Sequence, residues 1–125
     1  MMSKIFIILG SLNAFLAVAL GAFGAHGLQN KLTEQMLATY ETGVKYHMMH
    51  ALGLILIGII SRWTSDSLLV NWSGWLICAG IVLFSGSLYL LSISGIRWLG
   101  DVTPLGGLSF LAGWILLAIA AFKYL

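Results

Sequence analysis

Four long apolar segments alternate with short polar connections along this chain. A helix needs about 20 mostly apolar residues to cross a hydrocarbon core roughly 30 Å thick, and each segment has about that length. The apolar residues do not alternate as in a barrel strand, so helices, which satisfy their own backbone hydrogen bonds, are the predicted spanning elements. The pattern therefore predicts an all-α integral membrane protein, an antiparallel four-helix bundle that forms one transmembrane domain over residues 1–125. The predicted spans are about 5–23, 44–61, 73–93 and 103–122.

The most polar stretch of the chain, residues 28–39, joins the first two segments. Apolar residues recur there every four positions and share one side of a helix: Leu28, Leu32, Met36 and Tyr40. Thr33 is a suitable N-cap, and Glu34 suits the first turn of a helix. We therefore predict that the second helix begins near Thr33 and continues without a break into the second span. Its first turns then extend beyond the membrane core.

The remaining connections are short. Residues 62–67 are polar and join antiparallel neighbours, whereas the third connection contains the only proline of the chain. Thr103 before Pro104 predicts an N-cap followed by the first helical position of the fourth helix. The glycine-rich segment Gly21–Gly27 is predicted to end the first helix in a tight turn.

Composition agrees with a membrane protein, since 60% of the residues are hydrophobic and only 8% are charged. The mean hydropathy is +1.01, which is unsuited to a water-soluble domain. A net charge of +2 without a block of like charges gives no reason to expect a nucleic-acid partner. Cys78 is the only cysteine, so an intrachain disulfide is excluded.

The basic residues divide evenly between the two ends of the predicted bundle. Lys4, Arg62 and Lys123 lie on the side of the termini, and Lys31, Lys45 and Arg97 lie on the other. Because Lys4 directly precedes the first span, the positive-inside tendency favours cytoplasmic N- and C-termini.

Antiparallel connectivity places the first and third connections at the same end of the bundle, opposite both termini. We call this the polar end. Its predicted site residues are His26, Tyr40, Glu41, His47, His50, Arg97, Asp101 and Thr103, with Ser87 on the third span leading toward them. We expect a shallow polar pocket there, with His26 about 3–6 Å from His47 or His50.

Two interpretations of the histidines remain open. His47 and His50 are three residues apart, so they share a helix face that we expect to point into the bundle. They either hydrogen-bond across helices as packing groups or, with His26 and Glu41 or Met48, hold a metal ion or a haem. The packing interpretation is favoured, and we expect no metal and no cofactor.

Other polar and small residues also allow two roles. Arg97 and Asp101, four residues apart, either pair with each other or leave Arg97 to bind a lipid headgroup. Small residues recur along the first, third and fourth spans and predict close helix packing. Such packing leaves little room for an open channel.

Four motifs cover nearly the whole chain: GAFGAHG at 21–27, YETGVKYHMMHA at 40–51, FSGSLY at 84–89 and TPLGG at 103–107. Together they resemble the YgdD-like family of small bacterial inner-membrane proteins, which is a family of unknown function. The resemblance implies transmembrane helices and a location in the plasma membrane. It implies no reaction, substrate or catalytic residue.

No nucleophile elbow, phosphate-binding loop, His-Glu-x-x-His pattern or paired-cysteine motif occurs in the sequence. We therefore expect a noncatalytic protein, either a structural or accessory module or one that binds a lipid or small hydrophobic ligand. The expected partners are membrane lipid and either a membrane protein or a second copy of the chain. The alternatives are a transporter or channel component that uses His47, His50 and Ser87, and a metal or haem protein that uses the histidines. A transporter is disfavoured because the spans contain no acidic residue at their centres.

Overall fold

The computed structural model describes residues 2–65 and 67–125, and no strand occurs among them. Residues Leu68 to Ser94 form one 27-residue rod in which two α-helices flank a π-helical turn. This rod and the three other helices are each long and apolar enough to cross a membrane, which confirms the predicted four-helix bundle. The elements are α1 (Met2–Gly27), α2 (Glu34–Trp63), α3 (Leu68–Gly80), the π turn (Ile81–Ser85), α4 (Gly86–Ser94) and α5 (Leu99–Tyr124).

The predicted start of α2 and its extension are confirmed. Thr33 has an extended backbone, and its side chain accepts a hydrogen bond from the Met36 backbone N–H at 3.1 Å. The helix then runs for 30 residues, a length of about 45 Å. Because the hydrocarbon core is only about 30 Å thick, part of α2 extends beyond it.

Two other helix ends differ from the prediction. α5 begins at Leu99 rather than after Thr103, and Pro104 lies inside it. Backbone hydrogen bonds from residues 99–101 to residues 96–98 already form helical turns, and Leu99 is buried. Proline removes its own N–H from the ladder and its ring crowds the carbonyl four residues earlier, so packing of the added turn outweighs that cost. The second difference is the end of α1, which continues through Gly27, so the predicted turn comes after that residue and not within Gly21–Gly27.

Helix pairs organise the bundle. α1 packs mainly against α2, α3 packs mainly against α5, and α2 joins the two pairs through α3, the π turn and α4. Glycine permits the closest approaches. A Cβ on Gly10 would lie 2.7 Å from the Ala51 carbonyl oxygen, and one on Gly106 would lie 2.3 Å from the Phe84 backbone nitrogen. The helix backbones therefore approach each other closely, without space for larger residues at these positions.

Candidate functional site: a lateral groove

A groove of about 570 Å³ opens on the side of the bundle between α2, the π turn and α5. Three residues at its rim, Met49, Leu108 and Leu111, are 47%, 63% and 63% exposed. The groove therefore opens sideways from an apolar rim. Its volume lies in the range of about 300–1,000 Å³ typical of small-molecule sites. The remaining lining residues are Tyr46, His50, Phe84, Pro104, Gly107, Phe110 and Trp114.

The groove occupies one half of the membrane depth. Pro104 lies near the polar-end terminus of α5, and Trp114 lies ten residues before its other terminus at Tyr124. The distance from Pro104 to Trp114 along the helix is about 15 Å. This is half of a hydrocarbon core about 30 Å thick. The groove thus extends from the polar-end side to about the middle of the bundle, the depth of one lipid leaflet.

His50 and Trp114 form the inner end of the groove. The Trp114 indole N–H donates to His50 Nε2 at 3.0 Å, and His50 Nδ1 lies 2.7 Å from the Tyr46 carbonyl oxygen. An indole only donates and a carbonyl only accepts, so His50 is neutral with its proton on Nδ1. The Phe110 ring stacks on the imidazole at a centroid distance of 3.5 Å and an angle of 9°. Both ring nitrogens are occupied, and His50 forms a fixed wall of the groove.

The π turn supplies the opposite wall. Its Ser85 hydroxyl donates to the Gly43 carbonyl oxygen at 2.8 Å, which ties the turn to α2. Phe84 consequently lies with its ring centroid 4.8 Å from that of Tyr46 and 5.5 Å from that of Phe110. Single π turns inside α-helices occur often at functional sites. Here the turn places an aromatic ring in the groove.

His47 belongs to a second network, away from the groove lining. The Asn13 side-chain amide donates to the Leu9 carbonyl oxygen at 2.8 Å, which directs its Oδ1 toward His47 Nε2 at 2.9 Å. His47 Nε2 is therefore the donor, and in the neutral ring Nδ1 accepts from the Tyr89 hydroxyl at 2.8 Å. Through this one side chain, α2 is linked to α1 and α4.

Tyr40, Ser87 and Thr103 make contacts between helices nearer the polar end. The Ser87 and Thr103 hydroxyls lie 2.6 Å apart and join α4 to α5. Tyr40 is fully buried and donates to the Leu20 carbonyl oxygen at 2.5 Å. These three predicted site residues are thus engaged by neighbouring helices.

The structure does not gather the predicted polar-end residues into one pocket. Asn13, which contacts His47, is 13 residues before His26 in α1, about 20 Å along the helix axis. The expected approach of His26 to His47 or His50 is therefore wrong. The reason is the register of α1 against α2, in which Tyr40 meets Leu20 and His47 meets the middle of α1. Four of the predicted site residues are exposed at the polar end: His26, Glu41, Arg97 and Asp101.

The described part of the chain contains no cluster of side chains suited to binding a metal ion. Within residues 2–65 and 67–125, no three His, Cys, Asp or Glu side chains are placed to hold a metal ion. Since His50 and His47 use their ring nitrogens for neighbours, these two histidines fit the packing interpretation, whereas His26 is exposed. The metal or haem alternative gains no support from this geometry.

Comparison with known proteins places the chain in a family. The family model described as "Protein of unknown function (DUF423)" matches residues 20–107. The chain belongs to this family. UPF0382 membrane protein YwdK of Bacillus subtilis (strain 168) is 55% identical over 122 residues, covering 98% of this chain and 99% of that protein. UPF0382 membrane protein SAB0533 of Staphylococcus aureus (strain bovine RF122 / ET3-1) is 55% identical over 121 residues, covering 97% and 98%.

No solved structure matches the chain. Membership in DUF423, the names of the relatives and the four apolar helices together identify a multi-pass membrane protein of an uncharacterised family. The expected family of unknown function is thereby confirmed in its broad form. No activity comes with the DUF423 description.

Sequence interpretation missed the groove of this DUF423 protein and two of the residues that organise its interior. Asn13 is an amide within the first apolar span, where a polar side chain needs a partner. Trp114 lies deep within the fourth span rather than at an interface, and a buried indole N–H needs an acceptor. Both signals are present in the sequence. They predict that a partner exists without identifying His47 or His50 as that partner.

Proposed function

We propose that this protein is a noncatalytic membrane protein that binds one hydrophobic ligand, drawn from the bilayer, in the lateral groove. The observation that carries the proposal is the groove itself, with a volume of about 570 Å³, an apolar lining and an opening on the side of the bundle. A ligand that diffuses within one leaflet reaches this opening without leaving the hydrocarbon region.

The walls favour an apolar occupant. A concave surface offers more atoms at contact distance than a flat helix face, so dispersion attraction is larger there. The polar atoms of His50 and of the Trp114 indole already have partners. A bound ligand therefore leaves no buried polar group of this pair unsatisfied.

The engaged histidines also support a noncatalytic role. A general base or nucleophile needs a reactive atom within hydrogen-bond reach of the substrate. The His50 nitrogens are directed at Trp114 and Tyr46, and those of His47 at Asn13 and Tyr89. Neither imidazole presents a free nitrogen to the groove.

Filling the groove tests the proposal. A Cβ at Gly107 would lie 3.9 Å from the Phe84 ring, which is ordinary contact, so Gly107→Leu places a larger side chain in the groove without a backbone clash. Ala112→Leu adds a bulkier side chain on an exposed face of α5 outside the groove lining and is the matched control. Both variants are reconstituted with a phospholipid carrying a photoactivatable diazirine chain, and crosslinked peptides are mapped by mass spectrometry.

Crosslinks concentrated at Met49, Leu108 and Leu111 are expected for the wild-type chain and for Ala112→Leu. Gly107→Leu should lose this concentration while keeping crosslinks at other exposed residues. Uniform labelling of all exposed faces, unchanged in Gly107→Leu, would show that the groove holds no lipid chain more strongly than the rest of the surface.

The location and topology are proposed on the same basis. We infer a bacterial inner (plasma) membrane protein with a single transmembrane domain and cytoplasmic termini, supported by Lys4 at the start of α1 and by the YgdD-like resemblance. A cysteine introduced at the exposed Gln29 should react with an impermeant maleimide in intact spheroplasts. Reaction only after lysis would reverse the orientation.

A protein partner is also proposed. The side of α1 away from α2 exposes large apolar side chains, including Phe15 at 69% and Val18 at 62%. A second copy or another membrane protein is the expected partner for this side. Chemical crosslinking in native membranes should then give a discrete dimer or heteromeric band, whereas a monomer alone would leave the face to lipid.

A further inference from the structure

Tyr46 brings a polar hydroxyl to an otherwise apolar groove, and an apolar ligand alone gives this hydroxyl no role. Tyr46 lines the groove and is half-buried. Its carbonyl oxygen, not its hydroxyl, accepts the hydrogen bond from His50 Nδ1. Within residues 2–65 and 67–125, no side-chain hydrogen bond is made by this hydroxyl, and it is not among the buried polar atoms that lack a partner, so it reaches the accessible surface. The other interior tyrosines differ, since Tyr40 donates to Leu20 and Tyr89 pairs with His47. A hydroxyl in the hydrocarbon region without a protein partner is available to a ligand.

Aromatic rings form much of the wall of the groove. The Phe84 ring lies 4.8 Å from the Tyr46 ring and 5.5 Å from the Phe110 ring, with inclinations of 51° and 50°. Trp114 closes the inner end, and the rim includes the thioether of Met49. Aromatic pairs prefer offset or edge contacts at such separations, and sulfur also contacts rings favourably. These walls offer a flat conjugated ring an attraction that a saturated chain does not receive.

We infer that the ligand is a lipid-soluble molecule with a planar conjugated ring, a ring carbonyl oxygen and an apolar tail, the chemistry of a membrane quinone. The Tyr46 hydroxyl donates a hydrogen bond to the ring carbonyl, and the tail leaves sideways past Leu108 and Leu111. This inference rests on the proposed function and names the class of ligand for the same groove. It concerns binding alone, and no electron or proton transfer is part of it.

The test uses Trp114 as the reporter. The other four tryptophans (Trp63, Trp72, Trp75 and Trp98) are replaced by phenylalanine, and the full chain is placed in phosphatidylcholine nanodiscs. Decylubiquinone is the ring probe, and dibromostearic acid is the saturated-chain probe. Both quench indole fluorescence on contact, so site binding gives saturable quenching whereas random encounter in the bilayer gives quenching that rises steadily. A matched protein retains only Trp63, which is 69% exposed and lies outside the groove.

The expected result is saturable quenching of Trp114 by decylubiquinone, with no saturation at Trp63. Tyr46→Phe should weaken the apparent quinone affinity about 2- to 10-fold, the effect of one ordinary hydrogen bond, and should leave the affinity for dibromostearic acid unchanged. Gly107→Leu should abolish saturation with both probes. Equal melting temperatures of Tyr46→Phe and the parent establish that the fold is retained.

The other possible outcomes reject the quinone class, the Tyr46 hydrogen bond or the ligand site itself. Saturation with dibromostearic acid but not with decylubiquinone overturns the quinone class and leaves the proposed function in place. Saturable quinone binding that Tyr46→Phe does not weaken overturns the assigned hydrogen bond and therefore this inference. Quenching that rises steadily with both probes overturns the inference and the proposed function together.

Discussion

The Trp114 indole donates to His50 Nε2 at 3.0 Å, about midway through the bundle. This hydrogen bond joins α2 to α5 and fixes His50 as a neutral imidazole whose other nitrogen donates to the Tyr46 carbonyl oxygen. It also closes the inner end of the groove. One pair of side chains thus has a structural role and limits the depth that a ligand can reach.

Removing the acceptor should destabilise the protein. His50→Phe keeps a ring for stacking on Phe110 but leaves the Trp114 N–H unpaired, so we expect a loss of about 1–3 kcal/mol in the free energy of unfolding. Reversible unfolding in mixed detergent micelles measures it. Because Trp114→Phe removes the unpaired donor, the double variant should lose less than the sum of the two single losses. Additive losses would contradict the pairing.

The hydroxyl of Tyr89 should contribute to stability, whereas that of Tyr46 should not. Tyr89→Phe removes the partner of His47 Nδ1, and side-chain hydrogen bonds in membrane proteins contribute about 0.6 kcal/mol on average and up to about 1.7 kcal/mol. Tyr46→Phe is the matched control because its hydroxyl has no partner within residues 2–65 and 67–125. Unfolding under the same conditions compares them, and equal losses would refute the assigned network.

Two adjacent glycines should respond oppositely to alanine. At Gly106 the added Cβ would lie 2.3 Å from the Phe84 backbone nitrogen, whereas at Gly107 it would lie 3.9 Å from the Phe84 ring. Gly106→Ala should separate α5 from the π turn and lower the melting temperature. Gly107→Ala should leave it unchanged or raise it, since alanine favours a helix over glycine by up to about 1 kcal/mol. Thermal unfolding of both variants decides the matter, and similar melting temperatures would be inconsistent with the described packing.

The cap of α2 should stabilise its membrane-distal end. Thr33→Ala removes the acceptor for the Met36 N–H, and loss of such a cap costs about 0.5–2 kcal/mol. Hydrogen exchange of the Gln35, Met36 and Leu37 amides should become faster while residues beyond His47 keep their protection. Thr39→Ala, which removes a hydroxyl that bonds to the Gln35 carbonyl oxygen, serves as the control. Unchanged exchange in Thr33→Ala would argue against the cap.

Helices were predictable from this sequence, but the depths of their side chains were not. Hydropathy and the Thr33 cap predict the bundle and the extended α2, because both depend on nearby residues. The position of His47 depends instead on the register of α1 against α2, which follows from packing of Gly10 and from the Asn13 amide. Neither interaction shows in periodicity. The histidines were therefore assigned to the polar end, whereas His47 pairs with the middle of α1.

The groove could not be predicted from the sequence either. Its shape depends on the π turn that places Phe84 and on the helical turn that puts Pro104 inside α5. Both differ from what the local sequence predicts, since a continuous apolar span predicts a regular helix and Thr-Pro predicts a helix start. Tertiary packing outweighs local preference at these two places, and the candidate site lies between them.

Native mass spectrometry of the chain, extracted gently from its own membrane, tests whether the lateral groove holds a ligand. We expect wild-type and Ala112→Leu chains each to retain one hydrophobic molecule, and Gly107→Leu, with its groove filled, to retain none. A bare wild-type chain, or equal retention by Gly107→Leu, would contradict the claim that the lateral groove is a ligand site.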